Sequence, residues 1–232
     1  VNGEHCVAGC GAIAFAQLLA YHAEANDITF NQLGSFAFDN AFWANLKNGV
    51  RYPSRVRAPQ AGEGMTVETM AVGQFIYAVG VGIRSDYGLK ETSSTSQNVA
   101  NVFKNLANKN IGYKTVQYGT INNQQAYTLI CEKNLPIWYR GENNYGDGHA
   151  WILDGWKRTL TKVTTYYSNN TSEITETERD FVHVNFGWAG QHDGDYSFNV
   201  FNANPNKEDK LDRENDRNFR SNFKCITYEL SK

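Results

Sequence analysis

The sequence predicts an α+β fold, a single domain with a helical lobe at about residues 1–110 and an antiparallel β lobe at about residues 111–232. Apolar residues recur at helical spacing up to residue 108, and short alternating or β-branched segments replace them from residue 111 onward. With 232 residues, 41% of them hydrophobic, the chain can bury a core shared by two lobes.

The helical lobe begins with the strongest helix prediction, Cys10–Ala25, where small and apolar residues recur at helical spacing. Arg51–Gly64 is rich in Gly, Pro and Arg and is predicted to be a surface loop. Further helices are predicted in the second half of Phe30–Asn48, over Thr66–Val81 and over Gln97–Asn108, the last capped by hydroxyls of Ser93–Ser96.

The β lobe is predicted from alternating and β-branched segments. The polar stretch Ser168–Ser172 separates two of them and predicts the tip of a long β-hairpin, while the charged stretch Asn206–Asn222 is expected to be an exposed loop. The predicted strands are Gly112–Tyr118, Ile137–Arg140, Ala150–Trp156, Thr161–Tyr167, Phe181–Asn185, Tyr196–Phe201 and Cys225–Leu230, with a short helix at Ala126–Lys133.

Composition argues against several classes of partner. The net charge of −2 and the predicted pI of about 6.2 give no reason to expect nucleic acid or an anionic membrane. No stretch approaches the ~18 consecutive apolar residues of a membrane span. Val1 follows no signal-like segment, so either the protein is not exported or the part that precedes Val1 has been removed.

Four cysteines are too few for a disulfide framework. Cys131 and Cys225 are expected to be buried core thiols, and a disulfide from Cys6 to either of them stays open. Cys6 and Cys10 have no second Cys or His pair at ligand spacing, so no metal site is predicted.

Cys10 opens the first predicted helix, and His149 lies 139 residues further on at the start of a predicted strand. A thiol at a helix N-terminus feels the positive end of the helix dipole, which favours the thiolate. A thiolate is the nucleophile of cysteine acyl transfer, and it needs an imidazole that forms an ion pair with it and later protonates the leaving group. A cleft between the two lobes would bring these residues together.

Three blocks of residues stand out around Cys10, around His149 and further downstream. The blocks are Ala8-Gly9-Cys10 with Ala16-Gln17 and Tyr21-His22; Gly148-His149-Ala150 with Asp154-Gly155; and His183-Val184-Asn185-Phe186-Gly187-Trp188-Ala189-Gly190 with Asp193-Gly194. These blocks resemble the streptopain family of bacterial papain-fold cysteine peptidases, and they come in that family's order. The Cys-to-His separation also lies within the ~130–150 residues of papain-like enzymes. A weaker match joins Tyr87-Gly88, Ser93–Ser96 and Gly112-Tyr113.

The resemblance implies a papain-like two-lobe fold with the active site in the cleft between the lobes. It implies Cys10 as nucleophile, His149 as base, Asn185 as the group that orients the imidazole and Trp188 as the ring that shelters it. Asn185 has a competing interpretation, a strand-end residue that caps a turn. The residues implied to line the substrate cleft are Gly148, Ser93, Ser94 and Phe186, although helix capping explains the serines equally well.

Other residues compete for these roles. Cys6 lacks the helix that follows Cys10. His183 lies inside an alternating strand and is better explained as structural, and His192 lies in a polar turn. Asp154 is five residues past His149, roughly 16 Å along a strand, and is interpreted as a turn residue.

Two departures from the family pattern concern the site. Phe186 stands where the family has Trp, and it lacks an indole N–H. Residues 1–9 contain no glutamine to supply an oxyanion donor, and Gln17 is expected to be structural. We therefore expect processing to have removed the N-terminal part of the domain, and an upstream fragment carrying a glutamine to stay bound beside the cleft.

These inferences predict a bacterial cysteine endopeptidase that is secreted, cell-surface or periplasmic and acts on proteins or peptides. By resemblance it needs neither a metal nor an organic cofactor and is made as a zymogen with an inhibitory N-terminal propeptide. The alternatives are a catalytically impaired papain-fold binding protein and another Cys–His acyl-transfer enzyme, such as a peptidoglycan amidase or a transglutaminase-like enzyme.

Overall fold

The structure, a computed structural model, describes residues 6–60, 62–204 and 216–231. Its helices come first and its main sheet second, so the predicted α+β class is confirmed. The helical part contains α1 (Cys10–Ala25), a small hairpin of β1 (Gln32–Leu33) and β2 (Phe36–Ala37), α2 (Asn40–Arg51), a 3₁₀ turn (Pro53–Arg55), α3 (Val67–Gly82) and α4 (Ser96–Asn108).

The rest of the described chain forms mainly one antiparallel sheet with the strand order β3-β10-β4-β5-β6-β7. Its strands are β3 (Tyr113–Gly119), β4 (Ile137–Glu142), β5 (Gly148–Tyr166), β6 (Ser172–Asn185), β7 (Gly194–Tyr196) and β10 (Ser221–Leu230). A short helix, α5 (Asn123–Tyr127), and a π-helical turn (Thr128–Glu132) join β3 to β4, and β8 (Phe201–Asn202) pairs with β9 (Asn218–Phe219) beside the sheet.

The helix predictions are confirmed, and side-chain caps mark the starts of α2, α3 and α4. α1 has the predicted bounds. Thr95, one of the predicted hydroxyl residues, accepts a hydrogen bond from the backbone N–H of Asn98 and caps α4. Thr66 caps α3 in the same way. The predicted loop after residue 50 is partly wrong, since Arg51 still belongs to α2 and Pro53–Arg55 forms a 3₁₀ turn.

The strand predictions need two corrections. The two strands predicted at 150–156 and 161–167 form one continuous strand, β5, whose long hairpin with β6 has the predicted polar tip. Cross-strand ion pairs Arg158–Asp180 and Lys162–Glu176 keep the exposed ladder regular where the polar sequence indicated a break. The strand predicted at 196–201 is interrupted, because β7 ends at residue 196 and β8 begins at residue 201.

The loop predicted over 206–222 is also wrong where the structure describes it. Asp216, Asn218 and Phe219 are buried, and β9 and the start of β10 lie in this range. Polar residues can be buried when they are hydrogen bonded, and Asp216 accepts from the Asn218 N–H and from the Asn144 amide. The part of the prediction at 206–215 lies outside the described residues.

α1 runs between the two lobes and places its first residue at their junction. Its small and apolar side chains are buried against α2 and α3 on one side and against β4 and β5 on the other. One core cluster surrounds α1 and includes Phe15, Leu18 and Trp138. A second, between the sheet and β8–β9, includes Trp151 and Phe201.

All four cysteines lie in the described residues, and no disulfide joins any two of them. Cys225 is buried in β10, as predicted. Cys131 is exposed, so its prediction as a core thiol is wrong. It lies in the π-helical turn, where the apolar neighbour Ile130 takes the buried position. Among the described helices none combines the length and the apolar character needed to cross a membrane.

His22, near the end of α1, is fully buried. The Tyr228 hydroxyl donates to the carbonyl of Pro136, so its oxygen accepts from Nε2 of His22. Nδ1 is hydrogen bonded to the Asn26 side chain. Burial lowers the pKa of His22 from its ordinary 6.5 and outweighs the opposing effect of Asn26.

The free energy of unfolding is therefore expected to fall as the pH drops below about 6.5, because the unfolded chain then binds a proton that folded His22 resists. This contribution is present above the unfolded pKa and is lost towards the lower, folded-state pKa. Urea denaturation at a series of pH values measures it. His22→Gln should remove this component, and an unchanged pH dependence in that variant would contradict the assignment.

Candidate active site

Cys10 is the first residue of α1, and Gly9 precedes it as the N-cap. The residues that follow in the first turn are Gly11, Ala12 and Ile13, so the turn carries no acidic side chain. The N–H groups that begin a helix have no partner inside it, and together with the helix dipole they favour an anion at this end. This position favours a thiolate at Cys10.

The segment before Cys10 is fastened to the helical lobe. The Thr92 hydroxyl donates to the carbonyl of Val7, and the N–H of Val7 donates to the carbonyl of Gly88. Gly9 packs so closely on Thr92 that a Cβ at residue 9 would collide with its carbonyl oxygen. Only glycine fits there, and the close contact fixes the approach of the chain to Cys10.

His149 comes from the second residue of β5 and is hydrogen bonded to the Cys10 thiol. Burial, the largest effect, would raise the pKa of the Cys10 thiol. The hydrogen bond and charge of His149, with backbone N–H groups of Ala150 and Gly11, outweigh it and hold that pKa below its ordinary value. The structure thus brings together the two residues whose pairing the sequence predicts.

The backbone carbonyl of Phe186 orients the imidazole. It lies 2.9 Å from Nε2 of His149, so Nε2–H donates to it and Nδ1 is left to face the thiol of Cys10. This hydrogen bond holds the ring in one orientation in both charge states, and it selects the Nε2–H tautomer when the imidazole is neutral. The sequence assigns this role to the side chain of Asn185, the residue just before Phe186.

Asn185 makes different contacts. Its Oδ1 accepts from the N–H of Gly187 at 3.0 Å and from Nε2 of Gln17 at 3.3 Å. The competing interpretation, a strand-end asparagine that caps a turn, describes this geometry. Asn185 is the last residue of β6 and points towards α1, whereas the carbonyl of the next residue points to His149. Gln17 is structural, as expected, because it ties α1 to this turn.

Asn185→Ala is therefore expected to lower kcat/KM by about tenfold or less, since each lost hydrogen bond is worth roughly 1 kcal/mol and the Phe186 carbonyl remains. Steady-state hydrolysis of a small peptide substrate measures this. Gln17→Ala, which removes one of the same hydrogen bonds, is the matched control and should have a similar or smaller effect. A loss as large as that of removing His149 would show that Asn185 orients the ring after all.

Aromatic rings surround the imidazole of His149. Trp188 lies closest, with ring centroids 4.5 Å apart and an angle of 28° between the planes. Phe219 lies at 5.6 Å, and Trp151 and Phe186 both lie at 6.1 Å. Trp188 thus has the position expected of a sheltering ring. The sequence did not reveal Phe219, because it lies in a strongly charged stretch.

Phe186 does not line the substrate cleft, contrary to expectation. Its side chain is 1% exposed and packs against the rings of Trp188, Tyr196 and Phe219. A ring enclosed in this way cannot contact a substrate. Phe186 contributes through its carbonyl oxygen and through the apolar surface it adds around His149.

The other expected cleft residues lie near the pair to different degrees. Gly148 is exposed, immediately precedes His149, and lies against the guanidinium of Arg140, which a Cβ at residue 148 would displace. Ser94 packs its hydroxyl against Gly11, next to the nucleophile. Ser93 is exposed and joins Asp86 through a backbone bridge. Contact of these three residues with substrate stays a prediction.

The rival residues have other partners. Nδ1 of His183 is 2.6 Å from Oδ1 of Asp154, which supports the structural interpretation of His183. Asp154 lies at a register shift inside β5 rather than in a turn, so that interpretation is corrected. Nε2 of His192 accepts from the guanidinium of Arg217. The structure brings none of these described side chains to the Cys10 thiol.

A groove of about 690 Å³ lies between the lobes, next to the site. α1 contributes Ala16 and Gln17 to it, and the end of β6 contributes Asn185. The Oε1 atom of Gln17 is buried and finds no hydrogen-bond partner among the described residues. Further lining residues are largely apolar and include Val50, Val56, Val72, Ile76, Pro136 and Ile152.

Known proteins share this architecture. The structure of active wild-type interpain A cysteine protease from Prevotella intermedia superposes with a TM-score of 0.58 at 20% identity, covering 97% of this chain and 85% of that one. This similarity confirms the predicted papain-like two-lobe fold.

Sequence comparison gives the family. Streptopain of Streptococcus pyogenes serotype M1 is 25% identical over 210 residues, which are 86% of this chain and 48% of that protein, and streptopain of serotype M28 matches equally. The chain thus spans about half the length of the curated relatives it matches. Residues 1–196 match the Peptidase C10 family. The resemblance to streptopain drawn from the sequence is therefore confirmed, and the chain belongs to the Peptidase C10 family.

Proposed function

We propose that this chain is the catalytic part of a cysteine endopeptidase that hydrolyses peptide bonds in proteins or peptides through an acyl-enzyme. The observation that carries the proposal is the hydrogen-bonded pair of Cys10 and His149, with the thiol at a helix N-terminus and the ring held by the Phe186 carbonyl. Membership of the Peptidase C10 family supports the same reaction.

In the proposed reaction the Cys10 thiolate attacks the scissile carbonyl carbon and forms a tetrahedral oxyanion. The imidazolium of His149 then gives its Nδ1 proton to the amine as the C–N bond breaks, which leaves a thioester on Cys10. Neutral His149 next takes a proton from water, whose oxygen attacks the thioester. Collapse of the second tetrahedral species releases the carboxylic acid and regenerates the thiolate–imidazolium pair.

The oxyanion needs hydrogen-bond donors, and in this proposal the N–H of Cys10, at the start of α1, supplies one. Losing one of two such donors typically costs ~10²–10³ in rate. Related peptidases add a glutamine from ahead of the cysteine, and residues 1–9 have none. We propose that another segment of the same precursor supplies this glutamine and associates with the site. The apolar groove beside Gln17 gives such a segment a surface to pack on.

Mass spectrometry of active protein under native and denaturing conditions tests this association. A second polypeptide that is retained under native conditions and lost on denaturation is the expected result. This chain alone, fully active and without a second polypeptide, would defeat the association and require another residue to supply the second donor.

By the same resemblance, we propose that the protein is made with an inhibitory N-terminal propeptide and acts outside the cytoplasm of a bacterium. The related streptopains come from Streptococcus pyogenes, which supports a bacterial origin. The cleft serines and Gly148 are proposed to contact the substrate backbone. Expression of the full precursor should then give an inactive form that becomes active on cleavage.

The proposed function is tested by labelling with an epoxide inhibitor of thiol peptidases. We expect irreversible incorporation of one inhibitor per chain, with the label on the peptide that contains Cys10 and loss of peptide hydrolysis in proportion to labelling. Denatured protein is the control, because its thiols lack the site. Absence of both labelling and hydrolysis would favour an impaired binding protein. Hydrolysis of amide bonds other than peptide bonds, or amide exchange, would favour another Cys–His acyl-transfer enzyme.

A further inference from the structure

Trp188, the ring that covers His149, is itself contacted by two residues whose interaction the sequence blocks did not reveal. The guanidinium carbon of Arg217 lies 5.1 Å from the centroid of the Trp188 ring. Nη1 of the same arginine donates to Nε2 of His192 at 3.0 Å. The ring of His192 stands at 88° to that of Trp188, with centroids 6.0 Å apart.

Arg217 has a rigid base. Its N–H donates to Oδ1 of Asn204 at 2.6 Å, and its carbonyl accepts from the N–H of Ala203 at 3.0 Å. Its neighbours Asp216 and Asn218 are both buried. The backbone of Arg217 is therefore fixed, and its side chain reaches Trp188 and His192 from a fixed origin.

The loop that carries Trp188, residues 187–192, depends on contacts from outside. Ala189 and His192 adopt positive φ angles of 54° and 64°, and Gly187 and Gly190 have φ angles of 75° and 83°. Positive φ is unfavourable for the two residues with a Cβ. A loop in this conformation is stabilised by the partners it finds, and the carbonyl of His192 accepts from the Tyr196 hydroxyl while its ring accepts from Arg217.

We propose that Arg217 and His192 form a clamp that positions Trp188 over His149. Both are positioning residues, because they act on the imidazole through the indole. The inference rests on the proposed function, in which His149 must keep its bond to the Phe186 carbonyl while it exchanges a proton with Cys10. A displaced Trp188 would admit water to that hydrogen bond and allow the imidazole to turn.

The chemistry of the clamp specifies which substitutions should disrupt it. An arginine only donates hydrogen bonds, so residue 192 must present an acceptor. Gln provides one at this position, and Leu does not. The guanidinium also lies on the aromatic ring as a planar cation, a geometry that Lys does not reproduce. His192→Gln should therefore keep the clamp that His192→Leu disrupts. Arg217→Lys, in contrast, should disrupt the clamp nearly as much as Arg217→Met does.

Kinetics and tryptophan accessibility test the clamp together. We expect Arg217→Met and His192→Leu each to lower kcat by roughly three- to tenfold with KM changed less than about twofold, the pattern of a lost interaction that acts on the transition state. The double variant should be no worse than either single one, because coupled residues are not additive. Arg179→Met, an exposed arginine on the distant hairpin, is the matched control and should behave as the unmodified protein.

The fluorescence of Trp188 is obtained by subtracting the signal of a Trp188→Phe protein. Its quenching by acrylamide should increase in Arg217→Met and His192→Leu. In His192→Gln the quenching should be close to that of the protein with His192. This measurement is made in a Cys10→Ala background, so it tests the clamp even if the proposed activity fails. Unchanged quenching and unchanged kcat in both disrupting variants would overturn the clamp. So would additive losses in the double variant, or a His192→Gln protein as impaired as His192→Leu.

Discussion

Replacing Cys10 with alanine is expected to lower kcat/KM for peptide hydrolysis by at least ~10⁴-fold, the scale on which removal of a catalytic nucleophile acts. The thiol is the only atom at the start of α1 that can form the thioester, and the N–H groups around it cannot replace it. Hydrolysis of a fluorogenic peptide by freshly purified protein measures the loss. Thermal unfolding should change little, because the substitution removes a single sulfur.

Cys6→Ala is the matched control. Cys6 lies four residues before Cys10 and outside α1, so its variant should keep most of the activity. Substantial hydrolysis by the Cys10→Ala protein, or an equal loss in the Cys6→Ala protein, would contradict the assignment of the nucleophile.

Replacing His149 with alanine is expected to lower kcat/KM about as much as Cys10→Ala does, on the order of 10⁴-fold or more, because nucleophile and base act as a unit. The variant loses the partner that lowers the pKa of Cys10 and the donor that protonates the leaving amine. The same fluorogenic assay measures kcat/KM. Circular dichroism should still show a folded protein, since the remaining rings can keep their contacts.

His183→Ala provides the control for His149. His183 is held by Asp154 rather than by Cys10, so its loss should change kcat/KM by no more than a few-fold. A larger effect in His183→Ala than in His149→Ala would mean that the base has been misassigned.

The sequence was sufficient for the features that depend on local pattern. The bounds of α1 follow from its uninterrupted apolar and small residues. The proximity of Cys10 and His149 follows because one residue starts a helix and the other lies at the start of a strand, in two adjoining lobes. Trp188 could also be placed over His149, because a resemblance in consecutive residues carries over to their relative positions.

The features that could not be predicted depend on the direction in which a group points and on partners that are distant in the sequence. Asn185 and the Phe186 carbonyl are adjacent at the end of β6, where alternation stops, so the pattern does not tell which of them faces His149. Asp216 and Asn218 look exposed in a charged stretch, yet hydrogen bonds allow them to be buried. Arg217 reaches Trp188 from a backbone that these buried neighbours and hydrogen bonds with Asn204 and Ala203 hold in place.

The central claim, a thiolate at Cys10 stabilised by His149, is tested most directly by the pH dependence of Cys10 alkylation, followed by mass spectrometry of the Cys10 peptide. The structure lowers the pKa of this thiol, so the rate should stay high into mildly acidic solution. In His149→Ala the alkylation rate should already decrease as the pH is lowered through a much higher value, near or above the free-thiol pKa of ~8.5. A single titration near that value, the same with and without His149, would contradict the account.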